Sequence, residues 1–239
     1  MIEPNMATML AFIMTDATIS KSALHSMLSN AVDGSFNSIS VDGAESTSDT
    51  TVLISSNKIS MSESDDLYDE FKDALLQVCG GLATDIVRNG EGTGHVIKVD
   101  IKNFPGTNLE ARSLGRHIVN SPLFKCAVAG NDPNTGRLAG AIGSFMGRFK
   151  DDETVESMEI TLGGKNIFSN GKFVLEGDDV EKQLSDHMLM AQQDEKSSFP
   201  EHQRNVEIVV DFGVGSEFAT IVGSDLTNEY VAINADYRS

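Results

Sequence analysis

Thr8, in the segment NMATML (residues 5–10), has the chemistry of a nucleophile. Its hydroxyl attacks a carbonyl group only if a nearby base takes its proton. The α-amine of the same residue is one such base, once the chain has been cut before it. A free α-amine has a pKa of about 7.7–8.0, close to the pH at which a general base works best. Threonine is also an ordinary residue for the start of a strand, so the segment alone leaves both interpretations open.

Glu91 lies between two glycines in the segment GEGTGH, residues 90–95. Flanking glycines allow a backbone and a ligand to approach closely, and the carboxylate suits a substrate amine. The alternative is a solvated loop carboxylate. Neither this segment nor DFGVGS (211–216) has the G-x-G-x-x-G pattern between a strand and a helix, so a dinucleotide site is not predicted.

Three carboxylates, Asp42, Glu45 and Asp49, cluster in another loop. A hydrolase can be built on paired carboxylates, but nothing in the sequence sets their separation, which favours a solvated loop. The histidines are scattered without metal-ligand spacing, and no metal site is expected. Cys79 and Cys126 both lie in apolar segments, which is typical of reduced, buried thiols and not of a disulfide framework.

The composition excludes some classes of partner. The chain has 239 residues, a net charge of -18 and no cluster of Lys and Arg, so binding to nucleic acid or to an anionic membrane surface is disfavoured. No apolar run approaches the ~20 residues of a membrane-spanning helix, and no signal-peptide pattern is present. An intracellular, cytoplasmic protein is expected.

Hydrophobic periodicity predicts the elements of the first third of the chain. The apolar run in TMLAFIM (8–14) predicts a buried strand, and residues 20–33 predict a helix with Ser20 as N-cap. Residues 35–41 and 49–55 resemble strands. Residues 65–88 predict a long helix, whose buried face is expected to comprise Leu67, Phe71, Ala74, Leu75, Val78, Leu82 and Ile86.

The middle of the chain carries a glycine-rich segment, residues 131–147. Asp132 is the expected N-cap and Pro133 the first residue of a helix there. Its glycines fall on one helix face, so we expect another element to pack closely against that face. The other elements expected after the long helix are a strand over 95–101, a helix over 107–120, a buried strand in LFKCAVA (123–129), a helix over 180–192, and several strands towards the C-terminus.

Helices and strands therefore mingle without a regular βαβ alternation. This pattern favours an α+β protein with layered helices and strands over a doubly wound sheet. No internal repeat and no low-complexity linker divides the chain.

Five segments, taken in order, resemble the ornithine acetyltransferase (ArgJ) family over essentially all 239 residues. The resemblance implies a layered α/β sandwich that is superficially similar to the N-terminal nucleophile hydrolases. The five segments are MIEPNMATMLAFIMTDA, SFNSISVDGAESTSDT, IVRNGEGTGHVIKV, GNDPNTGRLAGAIG and NADYRS.

The resemblance implies a self-cleaving precursor, cut between Ala7 and Thr8. Residues 1–7 would end the α region, and residues 8–239 would form the β chain, one compact unit with a strand-rich C-terminal part. Thr8 would take the acetyl group from N-acetylornithine and pass it to glutamate, an acyltransferase reaction of arginine biosynthesis. The family needs no cofactor, and many members also accept acetyl-CoA as the acetyl donor.

The resemblance also implies roles for three further residues and a set of partners. Glu91, Asn234 and Ser239 match substrate-binding positions of the family. The expected protein partner is the α chain of the same precursor, in a heterotetramer of two α and two β chains. The expected compartment is the cytoplasm, or the mitochondrial matrix in a eukaryote.

The chain departs from the family pattern in two respects. In relatives, the oxyanion-hole pair and two further substrate contacts lie in the α part, which this chain lacks. Preorganised donors of that kind contribute several kcal/mol to catalysis, so the chain alone is predicted to be inactive or nearly so. Ser48, in STSDT, stands where relatives usually carry Asn.

Two other functions remain possible at this point. One is a hydrolase of the related self-cleaving aminopeptidase group, with the same nucleophile and water as acceptor. The other is a non-catalytic fragment that binds a partner. The segments NADYRS and GEGTGH favour the acetyltransferase over the aminopeptidase.

Overall fold

The computed structural model describes residues 9–44, 48–62, 64, 66–149, 156–175, 179–193 and 204–236. The contacts within the chain divide it into two units, residues 1–86 and 87–239. Each unit is described by itself.

The first unit is built around two parallel strands, β1 (Leu10–Thr18) and β3 (Thr50–Ser60), paired from Leu10 opposite Thr50. Along the sequence, α1 (Lys21–Asp33) and the short β2 (Ile39–Ser40) come between these two strands. As predicted, the Ser20 side chain caps α1 and accepts from the Ala23 N–H. In the segment expected as a strand over 35–41, Phe36–Ser38 instead forms a 3-10 turn, and only Ile39–Ser40 is a strand.

The prediction of a strand at β1 is confirmed, but the prediction that it is buried is wrong. Successive side chains point to opposite faces of a strand. Met9 and Ala11 are buried on one face, whereas Leu10, Phe12 and Met14 on the other are 65%, 60% and 77% exposed. An apolar run therefore predicted the element, but within the described chain only one of its faces is covered.

The long helix is also present, as α2 (Asp66–Arg88), but its buried face differs from the prediction. Leu67, Val78 and Leu82 are exposed. The buried residues follow an i, i+4 spacing, which places them on one stripe of the helix. They are Leu75, Cys79, Ala83 and Val87.

The second unit is a mixed sheet with helices packed on it. Its strands lie in the order β9-β4-β8-β5-β6-β7. β4 pairs parallel with β8 and antiparallel with β9, whereas β5 is antiparallel to β8 and β6. The strands are β4 (Val96–Phe104), β5 (Glu159–Leu162), β6 (Lys165–Ser169), β7 (Lys172–Phe173), β8 (Val206–Asp211) and β9 (Glu217–Ser224).

Two tight turns connect β5, β6 and β7. Gly163 and Gly164 join β5 to β6, with φ values of +56° and +76°. Asn170 and Gly171 join β6 to β7, with φ values of +52° and +72°. Two-residue hairpin turns of this kind require positive φ at both positions, which Asn-Gly and Gly-Gly pairs tolerate.

The helices of the second unit are α3 (Asn108–Val119), α4 (Pro122–Ala129), α5 (Thr135–Phe149), α6 (Val180–Ala191) and α7 (Asn228–Asp236). A capping box between Thr107 and Glu110 begins α3. α3 lies against β4 and β9. Gly115 permits this contact, because a Cβ atom there would clash with Ile221 Cγ1.

The predicted buried strand at LFKCAVA is wrong, because this segment is α4. Pro122 occupies the first turn, where a helix loses no hydrogen bond to proline. Phe124, Ala127 and Val128 are buried at helical spacing. Cys126 points to the other side and is exposed, contrary to the expectation for both cysteines, whereas Cys79 is buried.

The predicted start of α5 is also wrong, by two residues. The helix begins at Thr135, and the Asn134 side chain accepts from the Arg137 N–H as its cap. Gly140, Gly143 and Gly147 face open space in the described chain, so the expected close packing against this glycine face is not observed.

The core of the second unit lies between the sheet and helices α3 to α6. It contains Ile97, Leu114, Leu138, Ile208 and similar apolar side chains that are almost fully buried. Helices and strands are mixed in layers, as the α+β prediction required. Within the described residues, no helix is both long and apolar enough to cross a membrane.

His187 predicts a pH dependence of stability. Its Nε2 accepts from the Glu207 N–H, 3.2 Å away, at the start of β8. Burial lowers the pKa of His187 from 6.5, and the charge of Glu207 opposes this shift. The folded state therefore takes up fewer protons than the unfolded state just below pH 6.5, and the free energy of unfolding should fall as the pH drops through that range.

Urea unfolding at a series of pH values from about 7.5 to about 5, a range that brackets the ordinary histidine pKa, measures this effect. His187→Gln should flatten the decline. The pKa of His117 is also lowered, by burial and then by the charge of Arg148. The decline in stability that His117 causes should therefore remain in the His187→Gln variant. An equal decline in wild type and His187→Gln would contradict the assignment to His187.

Candidate functional site

Glu91 lies in the short loop between α2 and β4. α2 ends at Arg88, and the Gly90 N–H then bonds to the Val87 carbonyl. The Thr93 N–H closes a turn onto the Gly90 carbonyl at 3.1 Å. This turn places the exposed Glu91 side chain at its tip.

Gly92 allows the Glu91 loop to contact α7. Its φ is +63°, and a Cβ atom at this position would clash with Tyr230 N. Thr227 Oγ1 donates to the Gly92 carbonyl at 2.5 Å and accepts from the Tyr230 N–H at 3.1 Å. Thr227, the residue just before α7, is thus bonded directly to the loop that carries Glu91.

Asn234, on α7, meets Glu91. Its Nδ2 donates to Glu91 Oε2 at 2.9 Å and to the Tyr230 carbonyl at 3.0 Å. An amide nitrogen has two hydrogens, so both donors are used by the protein. The Asn234 Oδ1 and the Glu91 carboxylate then present acceptor oxygens at an exposed position. Such a pair suits a cationic group with N–H donors.

A buried pair, His95 and Asp225, lies beside this loop. His95 Nδ1 is 2.7 Å from Asp225 Oδ2, and the two side chains are 1% and 0% exposed. Asp225 Oδ1 accepts from the Gly94 N–H at 2.9 Å. His95 Nε2 lies 3.0 Å from Asn131 Oδ1. Asp225 also immediately precedes the segment that leads into α7.

In the first unit, the structure describes the chain from Met9, the residue after Thr8. The Met9 N–H donates to Asp49 Oδ1 at 2.6 Å, and the Thr50 N–H donates to the Met9 carbonyl at 2.8 Å. Asp49 therefore holds the backbone next to Thr8, rather than being a freely solvated carboxylate. A cavity of about 360 Å³ adjoins Met9, with Asp33 and Asp49 among its lining residues.

The predicted site residues are thus only partly described. Glu91 and Asn234 are brought together. Ala7, Thr8, Ser239 and Glu45 lie outside the described residues. The remaining loop carboxylate, Asp42, accepts from the Ala44 N–H in a local turn at 3.1 Å.

Sequence analysis did not find the roles of Asp49, His95 and Asp225. Asp49 is 40 residues from Met9, and Asp225 is 130 residues from His95. No spacing pattern reports a contact at such separations. The only signal in the sequence was the glycine-rich segment GEGTGH, in which His95 is the last residue. Such a segment is compatible with a buried histidine but does not require one.

Metal-binding groups and disulfides contribute nothing further in the part of the chain that the structure describes. No group of three or more His, Cys, Asp or Glu side chains there could hold a metal ion. Both cysteines are free, and burial raises the pKa of the Cys79 thiol.

Gly92→Ala should displace α7 from the Glu91 loop. Alanine at positive φ costs about 1–2 kcal/mol, and the clash with the Tyr230 backbone adds to that cost. Gly164→Ala is a matched control, because Gly164 has a φ of +76° but faces open space. We expect a larger loss of unfolding free energy for Gly92→Ala than for Gly164→Ala. Hydrogen exchange in α7 should become faster for Gly92→Ala only. Equal losses for the two variants would show that the close approach to Tyr230 is unimportant.

The whole chain matches known proteins of one family. The family model described as "ArgJ family" matches residues 1–239. The arginine biosynthesis bifunctional protein ArgJ of Bartonella quintana is 39% identical over 245 residues, and the glutamate N-acetyltransferase of Methanothermobacter thermautotrophicus is 36% identical over 239 residues. Each alignment covers 100% of this chain but 55% of the relative, so the chain spans about half the length of these curated relatives.

A solved structure agrees with this assignment. The crystal structure of the arginine biosynthesis bifunctional protein ArgJ from Bacillus halodurans has a TM-score of 0.81 at 30% identity. The structural match covers 96% of this chain and 100% of the solved chain. The resemblance seen in the sequence and the predicted layered α+β fold are both confirmed, and the chain belongs to the ArgJ family.

Proposed function

We propose that this chain is the β-chain region of an enzyme that transfers an acetyl group from N-acetylornithine to glutamate. Cutting between Ala7 and Thr8 frees the α-amine of Thr8. This amine takes the proton of the Thr8 hydroxyl as its oxygen attacks the acetyl carbonyl. Ornithine leaves with that proton on its amine. The α-amine of glutamate then attacks the acetyl ester, which releases N-acetylglutamate and restores Thr8.

The observation that carries this proposal is the contact between Glu91 and Asn234. N-acetylornithine has a side-chain ammonium group, and the two residues offer acceptor oxygens with a negative charge at one exposed place. Asn234 Nδ2 is already bonded to Glu91 and to the Tyr230 carbonyl, so its oxygen is the part that faces a ligand. Ser239, three residues beyond the end of α7, is the third binding residue in the proposal.

The setting of Thr8 is consistent with a nucleophile. Asp49 and Thr50 bond to both sides of the Met9 peptide, so the residue after Thr8 is held by two hydrogen bonds. A nucleophile must be held near its attack geometry, because proximity and orientation supply a large part of the rate enhancement.

The α chain of the same precursor is the proposed protein partner, in a heterotetramer of two α and two β chains. Leu10, Phe12 and Met14 form an exposed apolar row on β1, a surface that soluble proteins usually cover. The solved ArgJ chain is matched over its full length, whereas the curated relatives are matched over about half. This difference is expected if the solved chain is one of two chains cut from a precursor and the curated relatives are whole precursors. The oxyanion hole would come from the α chain, so the β chain alone is inactive.

The remaining parts of the proposal follow the family. No cofactor is needed, acetyl-CoA is a possible second acetyl donor, and the compartment is the cytoplasm, or the mitochondrial matrix in a eukaryote. The competing activity is hydrolysis, in which water and not glutamate accepts the acetyl group from Thr8.

The proposal is tested by supplying the α and β chains together with N-acetylornithine and glutamate. Intact mass should show a β chain that begins at Thr8, and an adduct of about +42 Da, an acetyl group replacing hydrogen, should accumulate on it when glutamate is omitted. N-acetylglutamate should then form with ping-pong kinetics. Free acetate without N-acetylglutamate would establish the hydrolase instead, and an uncut chain with full activity would exclude the α-amine as base.

A further inference from the structure

The position of Asn234 depends on polar contacts, because α7 has no buried residue. A helix in a folded protein normally takes its place by burying an apolar face. On α7, the large apolar side chains Val231 and Ile233 are 56% and 40% exposed. Burial of an apolar face of α7 among the described residues therefore does not determine where Asn234 lies.

Hydrogen bonds at the root of α7, the segment 225–227 that leads into the helix, take the place of that packing. Asp225 closes the end of the β4–β9 ladder, where Val96 pairs with Ser224. Its N–H donates to the His95 carbonyl at 3.1 Å, and its carboxylate accepts from Gly94 through Oδ1 and contacts His95 through Oδ2. One residue of the α7 segment is thus joined three times to the segment that follows Glu91.

His95 is in turn held from its other side. Asn131, two residues beyond the end of α4, lies against His95 Nε2. Its Nδ2 donates at 3.3 Å to Oε1 of Gln192, the residue that follows α6. The Gln193 N–H donates to the Gly94 carbonyl at 2.9 Å. The imidazole ring therefore connects the Glu91 loop and the α7 root to helices α4 and α6 of the core.

We propose that His95 and Asp225 form a positioning pair that sets the distance between Glu91 and Asn234, and through it the affinity for the substrate's ammonium group. Neither residue is exposed, so neither touches the substrate. The inference rests on the proposed function for the identity of the ligand. The mechanical part, that the pair holds the loop and α7 together, stands without it.

Asp225→Asn is the main variant, because asparagine keeps the shape and the Oδ1 acceptor for the Gly94 N–H but removes the charge facing His95. Asn131→Gly is the second variant. It removes the contact to His95 Nε2 without leaving a buried charge unpaired, and glycine suits the φ of +55° at this position.

Asp211→Asn is the matched control. Asp211 is also a carboxylate at a strand end that accepts from a glycine amide, Gly213 N at 2.9 Å, and from a side chain, Asn103 Nδ2 at 2.8 Å. Asp211 pairs with Lys102 and Ser224 with Val96. The control thus lies about 20 Å along β4 from the pair, at about 3.3 Å per residue.

The first measurement is hydrogen exchange, which needs no activity. Asp225→Asn and Asn131→Gly should speed exchange in residues 91–95 and in α7, while Asp211→Asn should not. An unchanged exchange pattern in both test variants, with the fold retained, would overturn the proposal. If Asp225→Asn does not fold, Asn131→Gly decides it alone.

The second measurement is steady-state kinetics of the αβ enzyme. A displacement of the order of 1 Å costs about 10- to 100-fold in catalytic efficiency, and here the loss should appear in the KM for N-acetylornithine, with kcat within about 3-fold of wild type. A merely structural role would lower the amount of active enzyme and leave KM unchanged, which would overturn the proposal. An inactive wild-type enzyme would refute the proposed function instead, and the exchange data would still test the pair.

Discussion

Thr8→Ala should abolish both the cut after Ala7 and acetyl transfer. The variant loses the hydroxyl that forms the acetyl ester, and an uncut chain also lacks the α-amine that serves as base. Removing a nucleophile of this type lowers turnover by about 10⁴-fold or more. Intact mass should show a single uncut precursor, and no acetyl adduct should form with N-acetylornithine.

Two controls separate this loss from an effect on folding. Thr8→Ser keeps a hydroxyl and should retain cutting and some transfer. Thr18→Ala removes an exposed threonine at the far end of the same strand, and should behave as wild type. A Thr8→Ala β chain expressed separately, so that position 8 is its first residue, isolates the chemistry from the processing, because it has the α-amine but no hydroxyl. Transfer by that chain would mean that another residue carries the acetyl group.

Glu91→Gln should raise the KM for N-acetylornithine by about 10- to 100-fold. A hydrogen bond to a charged group contributes about 1.5–3 kcal/mol, and each 1.4 kcal/mol is a factor of about ten. The isosteric amide keeps an oxygen for the Asn234 amide but removes the charge that pairs with the ammonium group. Steady-state kinetics of the αβ enzyme, varied in each substrate separately, measures the change.

The effect of Glu91→Gln should differ between the two half-reactions. Glutamate carries a side-chain carboxylate where ornithine carries an ammonium group, so its own half-reaction should change by less than about 3-fold, since no cation is lost there. Glu229→Gln is the charge-matched control, because Glu229 is exposed on α7, the helix that carries Asn234. Equal effects of Glu91→Gln and Glu229→Gln on KM would mean that the overall negative charge of the protein attracts the substrate, and not a direct contact with Glu91.

Part of the local structure of the chain follows from interactions between neighbouring residues. The cap at Ser20 and the capping box at Thr107 involve side chains and amides within three residues. The turn at Asn170 and Gly171 requires residues that accept positive φ. These interactions depend on adjacent side chains, so the sequence carries their signal directly.

The errors arose where an apolar run could form more than one element. LFKCAVA has the composition of a buried strand, but Pro122 and the core favour a helix of eight residues. In β1, the type of element was correct, yet Phe12 is exposed. Which face of an apolar element is covered depends on what packs against it, and a run of apolar residues does not contain that information.

The sequence by itself determined the family and the α+β class, and it predicted Thr8, Glu91, Asn234 and Ser239 as site residues, because the motifs that carry them stand in the family's order. Only the tertiary structure joined Glu91 to Asn234 across 143 residues, and buried His95 against Asp225 across 130. Hydrogen bonds of that span exist only after the sheet has closed and brought β4 beside β9. Periodicity reports the nearest few residues along the chain, whereas the fold alone decides which distant segments become neighbours.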